Sequence, residues 1–544
     1  MSIRVIKSQP YNDQRPGTSG LRKKTNRFML PGYLENYVQS IFDVFEFTPG
    51  GTVVIGGDGR YFNSEAIQVI IKICAANGVG RVLLGRHGIL STPAASCIIR
   101  RYRAVAGFIL SASHNPGGQD EDFGIKFNVE SGGPAAAVLT SRIFLHSQQI
   151  RQYKIFESPG IDLDTMESQL LGSMKIDVID PVDDYANLLQ QLFDFDAIAR
   201  LIKQPDFNFR FDAMNAVNGS YAKEIFGRRL QSSNDSLLRC TPLPDFGGIH
   251  PDPNLVYAKD LVDDVLRSDG PNFGAATDGD GDRNLILGRG QFVSPGDSLA
   301  ILTANAFKVP GYKGGARGVA RSMPTSTAAD RVAAKLGIES FETPTGWKYF
   351  GNLLDSGRIT LCGEEAFGTS SNHIREKDGL WAILFWMNLM AVTGKSIAKL
   401  VSEHWTEFGR TYYTRHDYDE VPEEGAKALI SGLKVRLVKL KNQQCQGLKI
   451  LNADDFAYLD PIDGSLTEGQ GIRLFLENDS RIVFRLSGTG TSGATLRIYI
   501  EHHEPDPLKY RLDTQVVLAR EILLAKRIAE VEYFTGRVNP TVIT

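Results

Sequence analysis

The segment Ser111-Ala112-Ser113-His114-Asn115-Pro116-Gly117-Gly118 sets one hydroxyl, that of Ser113, between small residues and an imidazole, where the apolar run 104–110 gives way to a loop. A serine held in this way suits the carrier of a covalent intermediate. The same letters are also ordinary turn chemistry, because Asn, Pro and Gly all favour turns. Other segments must therefore supply the partners that a nucleophile needs.

One of them is Asp278-Gly279-Asp280-Gly281-Asp282-Arg283, three carboxylates two residues apart. The intervening glycines let the backbone curl until the three side chains face one point, and hard oxygen ligands in that number suit Mg²⁺. An EF-hand also opens with spaced aspartates, but its sixth position requires Gly and its twelfth Glu. Here those positions are Arg283 and Arg289. Three carboxylates this close repel one another unless cations are near, and Arg283 offsets only one.

Three further loops combine glycine with polar groups. Gly488-Thr489-Gly490-Thr491-Ser492-Gly493 matches GxGxxG, yet residues 494–500 alternate like a strand where the dinucleotide fingerprint needs a helix. Its hydroxyls, with Ser487 and the cations Arg485 and Arg497, describe a phosphate cradle instead. Gly17-Thr18-Ser19-Gly20-Leu21-Arg22-Lys23-Lys24 again joins a glycine turn, hydroxyls and cations. Gly363-Glu364-Glu365-Ala366-Phe367-Gly368 offers paired carboxylates able to grip sugar hydroxyls, and Lys377 follows. No GxxxxGK[ST], HExxH or GxSxG motif is present to support a nucleoside triphosphatase, a zincin or a serine hydrolase.

The elements that must position these loops alternate. A β-branched strand at 52–55 precedes a helix at 64–76 and a strand at 81–84. The rhythm returns as a helix at 94–102 with a strand at 107–110, and again as a strand at 318–322, a helix at 325–336 and a strand at 359–362. Such alternation predicts α/β domains with mainly parallel sheets. Ligands of open α/β sheets sit at the carboxyl ends of strands, so chemistry loops after the strands at 108–110, 273–276 and 359–362 predict one cleft built from several domains. The C-terminal part differs, with strands at 481–486 and 494–500 and a helix at 513–529, an α+β unit.

At 544 residues the chain exceeds one core, and roughly three to five domains are expected. A net charge of −3, with no basic tract longer than Arg22-Lys23-Lys24, argues against nucleic acid or an anionic membrane as partner. Five cysteines without a CxxC pair fit buried thiols in a reducing compartment. The first residues lack the apolar core of a signal peptide, so the sequons at Asn218, Asn234 and Asn478 carry no weight. The most apolar stretch, 380–392, is too short for a membrane span and predicts a buried helix. A soluble, cytoplasmic protein acting on a small molecule is the expectation.

Taken in order, GTSGLRKK, SASHNPGG, TDGDGDRN, GEEAFG and RLSGTGTSGATLR resemble the α-D-phosphohexomutase superfamily, as do VIGGDGRYFN, GILSTPAAS, PLPDFGGIHPDPNL, TPTGWKYFGNL and HIREKDGLWA. The resemblance spans nearly the whole chain. It implies four domains around one central cleft: three similar α/β domains with mixed, mainly parallel sheets at 1–186, 187–304 and 305–408, and an α+β domain at 409–544. It implies that Ser113 carries a phosphoryl group and that glucose 1-phosphate and glucose 6-phosphate interconvert through glucose 1,6-bisphosphate, which is both intermediate and activator. Asp278, Asp280 and Asp282 would hold Mg²⁺, with Ser113 completing the site.

By the same resemblance Arg22, His114 and Lys126 handle the proton or electrostatics of the substrate hydroxyl, and Arg283 contacts the transferring phosphate. Thr18 and Ser19 belong to the first substrate loop. Thr345, Gly346, Glu364, Ala366 and Lys377 resemble the sugar and phosphate contacts of the third domain, and Arg485, Ser487, Thr489 and Arg497 a second phosphate site. The partners implied are sugar phosphates, with neither nucleic acid nor membrane, for a monomer or weak dimer. One departure stands out: the family's loop is GEESFG, and Ala366 replaces its sugar-binding serine. Ser111 in place of the more usual Thr is a minor change.

Overall fold

A computed structural model describes residues 2–487 and 493–544. The chain divides into two compact units. The first contains Met1–Phe292, Asn305–Gly315 and Ala366–Ile397, and the second Val293–Ala304, Ala316–Glu365 and Ala398–Thr544.

The first unit is built on two mixed sheets. One has seven strands in the order Leu21–Lys24, Asp122–Val129, Ala106–Leu110, Thr52–Gly57, Arg81–Ile89, Met174–Ile179, Ser168–Leu171. Its four inner strands from Ala106–Leu110 to Met174–Ile179 are parallel, and the pairings outside them are antiparallel. Ala106–Leu110 is an unbroken apolar run because every residue in it is buried, as expected where both faces of a sheet are covered. The helix Asn63–Ala76 closes one face through Ile67, Ile70, Ile71 and Cys74. The second sheet pairs Phe209–Asp212 in parallel with both Leu237–Leu238 and Phe273–Thr277, and Phe273–Thr277 antiparallel with Asn284–Gly288.

Two loops singled out in the sequence thus join antiparallel neighbours, not a strand to a helix. Ser111–Glu121 links Ala106–Leu110 to Asp122–Val129, and Asp278–Arg283 is the turn of a hairpin.

In the second unit Gly318–Ser322 pairs in parallel with Glu339–Thr343 and Leu361–Glu364. The C-terminal part forms a seven-stranded sheet in the order Gln444–Cys445, Leu448–Asp455, Ile472–Leu476, Ser480–Ser487, Ala494–Glu504, Arg410–Val421, Val542–Ile543. The helices Glu423–Leu440 and Ala519–Ala529 bury Leu429, Leu433, Leu524 and Ile528 against it. The helix expected at 513–529 is divided into Thr514–Val517 and Ala519–Ala529. Leu518, at φ −87° and ψ 6°, interrupts it and drops fully into the core.

The apolar stretch near 380–392 is the helix Gly379–Thr393, capped by Asp378 and ended by the left-handed Gly394; its residues from Gly379 to Met390 are buried. Among the described residues no single helix is long and apolar enough to cross a membrane. All five cysteines are free, and four are buried.

Candidate active site

The serine loop is set by the strand before it. Ser111 N–H donates to Gly124 O at 2.9 Å. A Cβ on Gly124 would lie 2.3 Å from Ser111 O, so only glycine permits this approach. Ser113 N–H then donates to Ser111 Oγ at 2.7 Å, and Ser113 itself is fully buried with φ +55°. A left-handed serine costs on the order of 1–3 kcal/mol, and such strain persists only where the surroundings over-determine it.

The surroundings here are Arg60 and the aspartate hairpin. Arg60 Nη2 donates to Ser113 O at 2.9 Å and Nη1 to Asp122 O at 2.7 Å, while Nε binds Asp58, with both charged side chains wholly buried. Burial pushes the Asp58 carboxyl up, against the pull of Arg60.

From the other side, the hairpin turn presses Gly279 onto the serine, because a Cβ there would lie 2.3 Å from Ser113 O. Gly279→Ala is therefore expected to shift one loop off the other, costing about 1–3 kcal/mol of stability and most of the activity. Chemical denaturation alongside a coupled assay checks this, and a wild-type pair of values counts against the close approach.

Ser113 Oγ–H donates to Asp278 Oδ2 at 2.8 Å, and Arg283 N–H to Asp278 Oδ1 at 3.0 Å. One carboxylate oxygen from each of Asp278, Asp280 and Asp282 lies within 4.8 Å of the others, and all three residues are buried. Asp280 Oδ1 is buried with no hydrogen-bond partner among the described residues. An unsatisfied buried carboxylate oxygen is expensive. Burial, followed by the charges of Asp282 and Asp280, raises the Asp278 carboxyl well above the ordinary range. An all-oxygen set with one uncommitted oxygen and mutual repulsion fits a hard divalent cation.

Four cations and an imidazole face this cluster within the same unit. Lys126 Nζ pairs with Asp280 and lies 3.2 Å from Asp282 Oδ2; Lys377 Nζ lies 3.2 Å from Asp282 Oδ1. Burial alone lowers the Lys126 ammonium, but Asp280 and Asp282 overturn that and raise it. Arg283 reaches Asp252 at 3.3 Å. Burial lowers Arg22, which feels Asp280 and Asp282 against Arg283 and Arg60. His114 Nδ1 lies 3.5 Å from Ser113 Oγ, and burial, then Arg283 and Arg22, hold its pKa well below the usual imidazole value. Thr18, exposed, and Ser19 form the tip of the turn Gly17–Gly20, which precedes Arg22. Gly20, at φ +84°, sits so close to Ile125 O that a Cβ would approach to 2.4 Å.

Ser113, His114, Arg22, Lys126, the three aspartates, Arg283 and Lys377 thus belong to one constellation. The remaining candidates lie on other segments. In the second unit Gly346 N–H donates to Glu364 Oε1 at 2.7 Å, and Gly346 has φ +127°, so the turn that presents Thr345 is held by the first glutamate of the pair. The second, Glu365, is committed to Ser322 and Tyr499. Ala366 is half-buried at the turn after Glu364.

Arg485 and Arg497 stand opposite each other on adjacent antiparallel strands; Arg485 Nε donates to Gln470 O at 3.1 Å and Arg497 lies 3.6 Å from Asp417. Ser487 ends the first of these strands. Thr489 lies outside the described residues.

Sequence reasoning missed the buried supports: Arg60 with Asp58, Thr92 beside Asp280, and Asn128, whose Nδ2 donates to Glu376 Oε1 at 2.9 Å. The local signals were the family-like segments VIGGDGRYFN, GILSTPAAS and HIREKDGLWA, which contain Asp58, Arg60, Thr92 and Glu376 without assigning them a role.

Models of the phosphoglucomutase/phosphomannomutase α/β/α domains I, II and III match residues 13–154, 183–291 and 295–408, and the C-terminal domain of phosphoglucomutase-1 matches 410–541. The chain is 56% identical over 542 residues to a phosphoglucomutase of Rhizobium radiobacter and 48% identical over 562 residues to human phosphoglucomutase-1, covering 100% of both chains in each case. The crystal structure of pp63/parafusin from Paramecium, an exocytosis-sensitive phosphoprotein and phosphoglucomutase in its open form, aligns with a TM-score of 0.91 and 48% identity over 100% of this chain and 99% of that one. With its site built on the family's motifs and its full length matched, the chain belongs to the phosphoglucomutase/phosphomannomutase family.

Proposed function

We propose that the chain is an Mg²⁺-dependent phosphoglucomutase that interconverts α-D-glucose 1-phosphate and glucose 6-phosphate through phosphoserine 113 and glucose 1,6-bisphosphate. The observation that carries this reading is Ser113 Oγ, buried and hydrogen-bonded to Asp278 inside a three-carboxylate cluster. Asp278, Asp280, Asp282 and the oxygen on Ser113 would hold Mg²⁺, which would supply charge neutralisation and orientation for the transferring phosphoryl group.

The protein's own groups do the rest. Arg283 and Arg22 supply fixed positive charge where the phosphoryl oxygens pass. Lys126, held protonated by its carboxylates, steadies the attacking hydroxyl electrostatically. His114, kept neutral by burial, offers Nδ1 within 3.5 Å of Ser113 Oγ as a proton acceptor.

One serine must give to one sugar carbon and take from another, so the bisphosphate has to turn over and needs a second anchor. Arg485, Ser487, Thr489 and Arg497 supply that phosphate site in this reading, and Thr345, Gly346, Glu364, Ala366 and Lys377, with Thr18 and Ser19 at the first loop, the sugar and phosphate contacts. The domains run 1–186, 187–304, 305–408 and 409–544, and the enzyme works as a cytoplasmic monomer or weak dimer.

A coupled assay tests the activity: purified protein with Mg²⁺ and a trace of glucose 1,6-bisphosphate is expected to convert glucose 1-phosphate to glucose 6-phosphate. Conversion of mannose 1-phosphate alone would overturn the glucose assignment. A restored hydroxyl in Ala366→Ser is worth about 0.5–1.5 kcal/mol as a neutral hydrogen bond. It is expected to raise kcat/KM for glucose 1-phosphate about two- to tenfold, and an unchanged or lower value removes Ala366 from the sugar contacts.

A further inference from the structure

Asp280 is the middle carboxylate of the triad, and its surroundings are asymmetric. Oδ1 is buried with no hydrogen-bond partner among the described residues, whereas Oδ2 accepts from Thr92 Oγ1 at 2.5 Å and from Lys126 Nζ. Thr92 also holds the backbone of the same residue, its N–H donating to Asp280 O at 3.0 Å. A third contact runs from Lys126 Nζ to Thr92 Oγ1 at 3.1 Å. Thr92 is fully buried, so no water competes for these bonds.

The local sequence explains why a threonine here can do this. Thr92 opens the ten-residue helix Thr92–Arg101, whose N-cap is Ser91 and whose next residue is Pro93. The first N–H groups of a helix have no partner within it. Ser91 Oγ satisfies Ala94 N–H, Pro93 has none to offer, and Thr92 N–H goes to the hairpin carbonyl. The helix therefore presents both a fixed amide and a fixed hydroxyl to one residue of the hairpin, 188 positions away. With the Asp280 carbonyl held by Thr92 N–H and Oδ2 held by Thr92 Oγ1 and Lys126, rotation of the carboxylate is restrained and Oδ1 is left as its oxygen without a partner among the described residues. The same hydroxyl, by accepting from Lys126, holds the ammonium on the Oδ2 side.

We propose that Thr92 is a positioning residue of the cation site, fixing the Asp280 carboxylate with Oδ1 free for the metal and restraining Lys126 from that oxygen. The proposal rests on the reading of the aspartate triad as the cation site. Groups that orient metal ligands typically change affinity by about 10- to 100-fold when removed.

The test is Mn²⁺ binding to the full-length protein without substrate, followed by electron paramagnetic resonance. Wild type is expected to bind one ion and Asp278→Asn to lose it. Thr92→Val is expected to weaken Kd about 10- to 100-fold, and Thr92→Ser, which keeps the hydroxyl, to stay within about threefold of wild type. Thr92→Ala removes the hydroxyl without branching and is read in place of valine if the melting temperature shows that valine disturbs folding.

Wild-type affinity in a folded Thr92→Val or Thr92→Ala overturns the positioning role, and so does a serine variant as weak as alanine. Failure of the triad reading looks different: no ion bound by wild type, or undiminished binding in Asp278→Asn.

Discussion

Ser113→Ala is expected to abolish mutase turnover, by about ten-thousand-fold or more, the scale on which loss of a covalent nucleophile shows in kcat. Ser111 Oγ is committed to the Ser113 amide, and Thr92 Oγ1 is committed to Asp280. Among the described residues Ser113 alone combines a left-handed backbone, a carbonyl clamped by Arg60 and Gly279, and an oxygen on Asp278. The fold should tolerate the change, because the removed hydroxyl is worth about 0.5–1.5 kcal/mol. A coupled assay together with a thermal melt checks both parts. Residual turnover above about one per cent of wild type, on the scale of nucleophile losses, in a properly folded variant would place the carrier elsewhere.

The second large effect is expected at Lys126, and it is one of stability as well as rate. Its ammonium is buried between Asp280 and Asp282, and removing one partner of a buried charge pair typically costs about 3–5 kcal/mol, because the other is left uncompensated. Lys126→Met in the presence of a chelator is therefore expected to lose about that much stability, seen as a lower denaturation midpoint. Added Mg²⁺ should restore part of it, since a cation replaces the missing charge among the same carboxylates.

The pH dependence has a definite sign. Because the folded-state pKa of Lys126 is raised, its stabilising contribution is complete below about pH 10.4, the unfolded value, and is lost only as pH rises through the folded value. Acidic carboxylate titration, not lysine deprotonation, should dominate the profile below neutrality. Equal stability of Lys126→Met and wild type in chelator would show that the carboxylates do not depend on this cation.

Much of the site was legible in the sequence because its chemistry is local. The three aspartates, the serine loop and the Glu-Glu pair each occupy one short loop, and glycine spacing alone shows that the backbone can curl there. The strands feeding those loops were legible as apolar runs: 107–110 lies within Ala106–Leu110 and 273–276 within Phe273–Thr277, while the strand expected at 359–362 is shifted to Leu361–Glu364.

What remained hidden depends on distant pairing. The Ser113 loop and the aspartate hairpin both connect antiparallel neighbours, and no periodicity in a single strand reports the direction of its neighbour. Arg60 is an ordinary charged residue until folding buries it against the Ser113 carbonyl. Thr92 is an ordinary helix-start residue until the hairpin arrives. Leu518 continues a helical pattern by composition, and only the core beneath it draws the chain out of helical geometry.

The central claim is that Ser113 carries the phosphoryl group. The most direct measurement is to treat the enzymatically dephosphorylated protein with glucose 1,6-bisphosphate and Mg²⁺, digest it, and locate the added phosphate by mass spectrometry. One phosphoryl group on Ser113, lost again on addition of glucose 6-phosphate with formation of the bisphosphate, is the predicted result. Phosphate on another residue, or undiminished turnover by a protein never phosphorylated at Ser113, would contradict it.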